Sequence, residues 1–84
     1  MYYVYILKSG KDGNLYIGST NNIERRIREH NAGRVPSTKS RTPFALVYYE
    51  AYRAEQDARH RENNLKLRSR AFEQLRKRLE ESLK

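Results

Sequence analysis

The stretch from residue 14 to residue 31 places a strand, a tight turn and a helix directly after one another. Its first five residues, NLYIG, are β-favouring until the glycine. The next four, STNN, are short and polar, which is typical of a turn followed by a helix N-cap. Ile23 and Ile27 are then four residues apart, on one face of a helix. We therefore predict a strand that leads straight into a helix over residues 22–31.

A second strand-like segment precedes this one. Residues 2–8 (YYVYILK) are aromatic or aliphatic almost throughout, as in a strand covered on both faces. The segment SGKDG follows, and its Asp-Gly pair favours a hairpin turn. If the turn is four residues long, Tyr5 lies directly opposite Tyr16. The two phenols then share one face of the sheet.

The rest of the chain contributes one more strand and two helices. We predict a loop over residues 33–43, a strand over residues 44–52 and a helix over residues 53–67. Ser69 is expected to cap a third helix. The apolar stripe of that helix consists of Phe72, Leu75, Leu79 and Leu83.

The resulting order, β-β-α-β-α-α, predicts an α+β fold. The second strand, the first helix and the third strand form a crossover unit, so those two strands should be parallel with a gap between them. The first strand, antiparallel to both, fills the gap and gives a three-stranded mixed sheet of order 2-1-3 flanked by helices. With 84 residues, we expect one domain over residues 1–84. There is no cysteine, which excludes a disulfide framework and a thiolate zinc site.

The charge balance indicates the class of partner. Eighteen Lys and Arg against ten Asp and Glu give a net charge of +8, which favours a polyanion, most often nucleic acid. The alternative is that the charge serves only solubility. The loop over residues 33–43 is basic and rich in hydroxyls, which suits phosphate contact or a solvated linker equally. The apolar run at the amino terminus is too short for a signal peptide or a membrane span, so we expect a cytoplasmic protein with no membrane partner.

Three helical positions are unusual for their chemistry. Arg26 and His30 are four residues apart, so they are neighbours on the first helix. In the second helix, the spacing of Ala54, Ala58, Glu62 and Leu65 predicts an inward stripe that contains a carboxylate. A carboxylate there is costly unless it is paired with a metal or a cation. A structural salt bridge with an arginine is the simpler alternative.

Short motifs link these features to a known family. Tyr3-Val4-Tyr5 stands at the place of a Gly-Ile-Tyr motif, with Tyr3 instead of the glycine, and Tyr16-Ile17-Gly18 matches a Tyr-Ile-Gly motif in full. On these motifs the chain resembles the GIY-YIG nuclease superfamily over nearly its whole length. It is most similar to the small stand-alone bacterial proteins that consist of this module alone. Larger relatives carry added domains that supply the DNA target. A separate targeting partner protein is one way to replace them here.

The resemblance implies roles for individual residues. Arg26 matches the catalytic arginine, His30 the histidine often found one turn later, and Glu62 the metal-binding glutamate. The family's activity is metal-dependent endonucleolytic hydrolysis of phosphodiester bonds, so Glu62 is expected to hold one Mg²⁺ or Mn²⁺ ion. Arg26 is expected to stabilise charge on the phosphate. Tyr5, Tyr16 or His30 is expected to serve as the base or as an orienting group, and the sequence leaves open which.

We expect the nucleic acid, DNA in particular, to be held through its phosphates. The cations on the first helix and in the following loop are the candidates for these contacts. They are Arg25, Arg28, Arg34, Lys39 and Arg41. A rival interpretation is a module that keeps the fold and binds nucleic acid but has lost cleavage. A third is a protein-interaction adaptor that uses Leu79 and Leu83, which leaves Glu62 unexplained.

Overall fold

The computed structural model describes residues 1–68 and 70–84. Its elements follow the predicted order, and Ser69, the expected cap of the last helix, lies outside the described residues. The strands are β1 (Tyr2–Ser9), β2 (Leu15–Thr20) and β3 (Phe44–Tyr52). The helices are α1 (Ile23–Asn31), α2 (Glu55–Lys66) and α3 (Arg70–Arg78), with a short 3-10 turn at Lys39–Arg41. No helix of these ranges is long and apolar enough to cross a membrane.

The sheet has the predicted order, β2-β1-β3. Strand β1 lies in the centre and is antiparallel to both neighbours, so β2 and β3 are parallel to each other. Its residues from Val4 to Leu7 are all buried, which confirms that this strand is covered on both faces. Strand β2 is left with one free edge, and this edge becomes important for the candidate site.

The predicted pairing of Tyr5 with Tyr16 is wrong. Tyr5 lies opposite Gly18, and Tyr16 lies opposite Leu7. The Ser9 amide donates a hydrogen bond of 2.9 Å to the Asn14 carbonyl, so the four-residue turn lies over residues 10–13 and begins one residue later than predicted. The register therefore differs by two residues, and an even shift leaves every side chain on its predicted face. Tyr5 and Tyr16 accordingly share one face, with ring centroids 6.4 Å apart.

The two faces of the sheet carry different helices. On one face, Val4 and Ile6 pack against α2 and α3 in the larger core cluster, which includes Leu65 and Phe72. On the other face, α1 covers a smaller cluster. That cluster consists of Tyr5, Leu7 and Phe44, with Tyr16 and Ile27 packed against it. Burial on both sides explains why β1 shows no alternation of polar and apolar residues.

Helix α1 begins and ends as its sequence predicts. The side-chain oxygen of Asn22 accepts a hydrogen bond of 3.0 Å from the Arg25 amide, which satisfies one of the free donors of the first turn. At the other end Gly33 has φ 74°, a conformation that favours glycine. The Arg34 amide then donates to the Glu29 carbonyl at 3.0 Å. These two ends fix the length of the helix, and with it the positions of the residues it carries towards the sheet.

Helix α2 follows its predicted inward stripe in part. Ala58 and Leu65 are buried, and the Glu62 side chain is only 15% exposed. Ala54 is exposed, so its predicted inward position is wrong. The reason is that the helix begins at Glu55, which leaves Ala54 as the extended N-cap residue outside the helical turn.

Candidate active site

The glycine of the Tyr-Ile-Gly motif makes room for the tyrosine of the first motif. Gly18 lies directly opposite Tyr5 in the sheet, and the phenol lies over it. A Cβ at Gly18 would come within 3.0 Å of a Tyr5 ring carbon, and nearer still to the hydroxyl end. Real Cβ atoms do not approach so closely, so the position of the Tyr5 hydroxyl depends on Gly18 having no side chain.

A buried chain of hydrogen bonds runs from β1 through α1 into the following loop. The Tyr5 hydroxyl lies 3.0 Å from His30 Nε2, and His30 Nδ1 lies 2.8 Å from the Thr38 hydroxyl. Thr38 can donate in turn to the Val35 carbonyl at 3.4 Å. All three side chains are at most 1% exposed. We assign a neutral imidazole with its proton on Nδ1, because this arrangement gives every group a partner.

The charges around this chain set its protonation state. Burial raises the pKa of Tyr5 to about 12; the nearby Arg26 guanidinium opposes the rise, and the charges of Tyr16 and Glu62 add to it. Burial also lowers the pKa of His30, and the positive charge of Arg26 lowers it further. At neutral pH the pair is therefore a phenol that donates and an imidazole that accepts.

Tyr16 lies against the same histidine but is less enclosed. Its ring makes an edge-to-face contact with His30, with centroids 5.0 Å apart, and also meets Phe44. Part of Tyr16 remains exposed, whereas Tyr5 is 1% exposed. The two candidate tyrosines therefore differ in access to solvent, which the sequence alone does not reveal.

Arg26 lies at an open cleft of about 270 Å³ between the start of α1, the end of β2 and the start of α2. Its guanidinium pairs with Glu29 at 3.0 Å and is 35% exposed. Because Glu29 lies on the same helix, the pair holds the arginine at the mouth of the cleft. The arginine fork keeps further donors for an anion, since it carries five N–H groups.

Glu62 reaches the same region from the opposite face of the sheet. One of its carboxylate oxygens accepts a 2.7 Å hydrogen bond from the Ser19 hydroxyl, and the other pairs with Lys66 at 2.7 Å. Its salt-bridge partner is thus a lysine of its own helix and not an arginine. Ser19 lines the cleft that Arg26 also lines. Arg26 and Glu62 therefore approach the free edge of β2 from opposite faces of the sheet.

A second polar network fixes the direction of Glu62. Arg61, its neighbour on α2, makes two hydrogen bonds of 2.9 and 3.0 Å to Glu50 on β3. Tyr48 and Tyr52 donate to the same carboxylate at 2.6 and 2.5 Å. With Arg61 fixed to β3, the next residue of the helix turns towards β2. The sequence signal for this network is a single carboxylate between two tyrosines at alternate positions of a strand, and the sequence-based predictions above do not include it.

The donor set at Glu62 fits one hydrated divalent ion. Within residues 1–68 and 70–84, no group of three or more His, Cys, Asp or Glu side chains could hold a metal. Mg²⁺ retains most of its water ligands and is often bound through only one or two carboxylates, so a single carboxylate such as Glu62 is a suitable ligand type. The Lys66 ammonium already pairs with this carboxylate, so the site accommodates a positive charge. Lys66 is 48% exposed, so a metal ion can displace it.

The five cations expected to bind phosphate are not equivalent. Arg25, Arg28 and Arg34 line one groove on the outer side of α1, and Lys39 is exposed. Arg41 instead pairs with Asp12 at 2.7 Å, and its guanidinium lies over the Phe44 ring at 5.5 Å. The hydrogen bond from Arg41 lowers the pKa of Asp12 to about 2. Arg41 therefore holds the hairpin turn to the loop and is less available to a phosphate.

Thr38 is the residue of the buried chain that sequence reasoning missed. Its loop was interpreted as a phosphate contact or a solvated linker, yet its hydroxyl is fully buried against His30. A histidine in the last turn of a helix and a threonine eight residues later is too common a combination to be a signal. The two side chains meet only because the loop that carries Thr38 folds back against α1.

Comparison with protein families finds one matching model. The model of the GIY-YIG catalytic domain matches residues 1–78, which is nearly the whole chain.

Related proteins and a related structure agree with this match. The chain is 47% identical over 70 residues to a UPF0213 protein of Staphylococcus haemolyticus, covering 82% of this chain and 84% of that protein. It is 48% identical over 67 residues to a UPF0213 protein of Clostridium perfringens, covering 79% and 71%. The solution NMR structure of a UPF0213 protein from Bacillus halodurans aligns with a TM-score of 0.54 at 36% identity, covering 89% of this chain and 81% of that one.

Proposed function

Because the chain belongs to the GIY-YIG family, we propose that it hydrolyses phosphodiester bonds in nucleic acid, with DNA as the expected substrate. The observation that carries the proposal is that three groups lie near one another beside β2, close enough that, besides burial, Arg26 and Glu62 shift the pKa of Tyr5. These are the buried Tyr5–His30 pair, the Arg26 guanidinium and the Glu62 carboxylate. Titratable groups with shifted pKa values beside an open cleft are typical of functional sites.

Hydrolysis requires that charge on the phosphate be neutralised. As water attacks phosphorus, negative charge develops on the non-bridging oxygens. Arg26 is a fixed-charge donor with a planar fork that matches two such oxygens. Its partner Glu29 keeps the guanidinium at the cleft but must share it when a phosphate binds. The role of Arg26 in this proposal is to bind the phosphate and to stabilise it in the transition state.

The attacking water must also lose a proton. Tyr5 is a phenol with a pKa raised to about 12 by burial, so it is a poor base by itself. It already donates to His30, so it can pass its own proton to the imidazole as it takes one from water. Tyr16, the more exposed phenol, is the direct alternative. In either case His30 orients the ring that meets the water, and Thr38 fixes the tautomer of His30.

Glu62 would hold one Mg²⁺ or Mn²⁺ ion, which when bound supplies positive charge for the phosphate and the leaving oxygen. Ser19 keeps one carboxylate oxygen in place through its hydrogen bond. Lys66 must release the other oxygen for the ion to enter.

A binding module that has lost cleavage is the second candidate function. The observation in its favour is that both charged groups already have partners, Arg26 with Glu29 and Glu62 with Lys66. A chain that only binds nucleic acid needs no free carboxylate. Such a protein would still use the basic groove along α1 to hold phosphates.

A nicking assay separates the two functions. We expect the wild-type protein to cut supercoiled plasmid or synthetic branched DNA with Mg²⁺ or Mn²⁺ and to leave it intact in EDTA. Arg26→Gln should abolish cutting, and Arg53→Gln, which removes an exposed arginine that lines neither the cleft nor the groove along α1, is the matched control and should retain it. Retardation of DNA in EDTA together with no cutting in any divalent ion would reject the enzyme and support the binding module.

A further inference from the structure

An exposed aromatic surface lies on the α1 side of the sheet, away from the helices that form the core. We call it the aromatic shelf; it consists of Tyr3, Leu46 and Tyr49. The Tyr3 and Tyr49 rings meet edge to face, with centroids 6.0 Å apart and planes at 67°. Tyr49 is 53% exposed and Leu46 is 37% exposed. Contiguous exposed apolar side chains of this kind mark a binding surface more often than single ones do.

The composition around the shelf selects the kind of group it can bind. The shelf forms one side of an open depression of about 540 Å³, and the other side is the start of α1. Asn21, Asn22, Ile23 and Glu24 complete the lining. No Lys or Arg is among the described residues that line it, and Glu24 is negative, so the depression does not suit a phosphate. Flat rings beside amide groups suit a planar heterocycle instead.

The depression and the active-site cleft share a wall. Asn21 lines both of them. The Arg25 guanidinium donates to the Asn21 side chain at 2.9 Å and faces the cleft side. A cationic surface and an aromatic surface thus lie on either side of one asparagine. This is the arrangement that a nucleotide presents, with its charged backbone on one side and its base on the other.

We propose that the aromatic shelf stacks an unpaired nucleobase of the nucleic acid whose backbone lies in the cleft. The substrate class is then single strands, frayed ends or branch points, because the bases of an uninterrupted duplex are already stacked. This inference rests on the proposed function for the position of the backbone. The proposal also gives a role to Tyr3, which stands where the first motif usually has glycine. Tyr3 supplies the second ring of the shelf, beside Tyr49.

Binding measured in EDTA tests the shelf without any cleavage. The probes are a short fluorescent oligothymidylate and an abasic oligonucleotide of the same length, which keeps the phosphates and lacks the bases. We expect the wild type to bind the oligothymidylate more tightly. Tyr49→Ala should weaken that binding roughly fivefold or more and leave abasic binding unchanged. Tyr49→Phe, which keeps the ring, should behave as wild type.

Three results would overturn the shelf proposal. The first is equal binding of both probes by the wild type, and the second is an equal loss for both probes in Tyr49→Ala. The third is a wild-type dimer in sedimentation that Tyr49→Ala converts to monomer, since the shelf would then join two copies. The proposed function is tested separately by cutting of the oligothymidylate in Mn²⁺. Base-dependent binding without cutting rejects the proposed enzyme and supports the shelf proposal. Cutting without base-dependent binding supports the proposed enzyme and rejects the shelf proposal.

Discussion

The Ser19 hydroxyl on β2 donates a hydrogen bond of 2.7 Å to the carboxylate of Glu62 on α2, across 43 positions of the sequence. This contact joins the second helix to the motif strand at the point where Arg26 approaches from the first helix. The second carboxylate oxygen pairs with the half-exposed Lys66 ammonium. The Ser19 hydroxyl therefore fixes the position of the carboxylate. The Lys66 ammonium balances its charge, and another cation can replace it.

Replacing Glu62 should change the stability of the protein little. Glu62→Gln keeps an oxygen for the Ser19 hydroxyl and loses the pair with Lys66, which is half-exposed and worth no more than about 0.5 kcal/mol. We expect the free energy of unfolding in EDTA to change by less than about 1 kcal/mol. Arg61→Gln is the contrasting variant, since it removes a positive charge and two hydrogen bonds from the Glu50 carboxylate; it should cost about 2 kcal/mol. Chemical denaturation of all three proteins measures both differences, and a loss above about 3 kcal/mol for Glu62→Gln would show that this residue is structural.

The buried histidine should make the fold sensitive to acid. The pKa of His30 is lowered in the folded state, so below its ordinary value of about 6.5 the unfolded chain binds a proton that the folded chain refuses. The stability due to neutral His30 is present above that pH and is lost as the pH falls towards the folded pKa. The slope can reach about 1.4 kcal/mol per pH unit.

Denaturation at several pH values between about 7.5 and about 5.5 measures this slope. In His30→Gln the slope over that range should be reduced, whatever the absolute stability of the variant. His60→Gln alters an exposed histidine and is the matched control. An unchanged slope in His30→Gln would mean that the buried imidazole takes up a proton as easily as the unfolded chain does.

Adding one methyl group at Gly18 should disturb the active site through Tyr5. The new Cβ would come within 3.0 Å of the Tyr5 ring. The phenol cannot move freely because its hydroxyl is hydrogen-bonded to His30. We expect Gly18→Ala to cost about 1–3 kcal/mol, the usual range for an overpacked interior. A double-mutant cycle with Tyr5→Leu should show a smaller cost for the same alanine, because the flexible leucine can avoid it. An equal cost in both backgrounds would place the clash elsewhere.

The sequence predicts the fold of this chain much better than the partners of its site residues. Strand β1 could be recognised because burial on both faces leaves an uninterrupted apolar run, and the crossover rule then orders the sheet. The register prediction failed because Ser9 still pairs with Asn14, so the four-residue turn begins one residue later than predicted. The partner of Glu62 could not be predicted, since it depends on how α2 lies across β2 and β3. Ser19 has no local pattern that indicates such a contact, whereas Glu50 lies between two tyrosines at alternate positions of its strand.

The dependence of nucleic-acid binding on salt should reveal which cations contact phosphate. With Arg41 held by Asp12, four of the five expected cations remain, so log K for duplex DNA should fall with log salt at a slope near −3.6, about −0.9 per contact. Arg28→Gln should reduce the magnitude of the slope by about 0.9. Arg41→Gln should leave it unchanged. A reduction by Arg41→Gln as large as that by Arg28→Gln would show that the pair with Asp12 opens on binding.

The rate of Mn²⁺-dependent cleavage under single-turnover conditions tests the central claim most directly. Wild type, Glu62→Gln and Glu55→Gln should be compared on one substrate; Glu55 lines the same cleft and has no part in the proposed chemistry. We predict cleavage by wild type and by Glu55→Gln at similar rates, and a loss of roughly 100-fold or more in Glu62→Gln. Wild-type rates in Glu62→Gln, or no cleavage by the wild type at any Mn²⁺ concentration, would contradict a phosphodiesterase site at the free edge of β2.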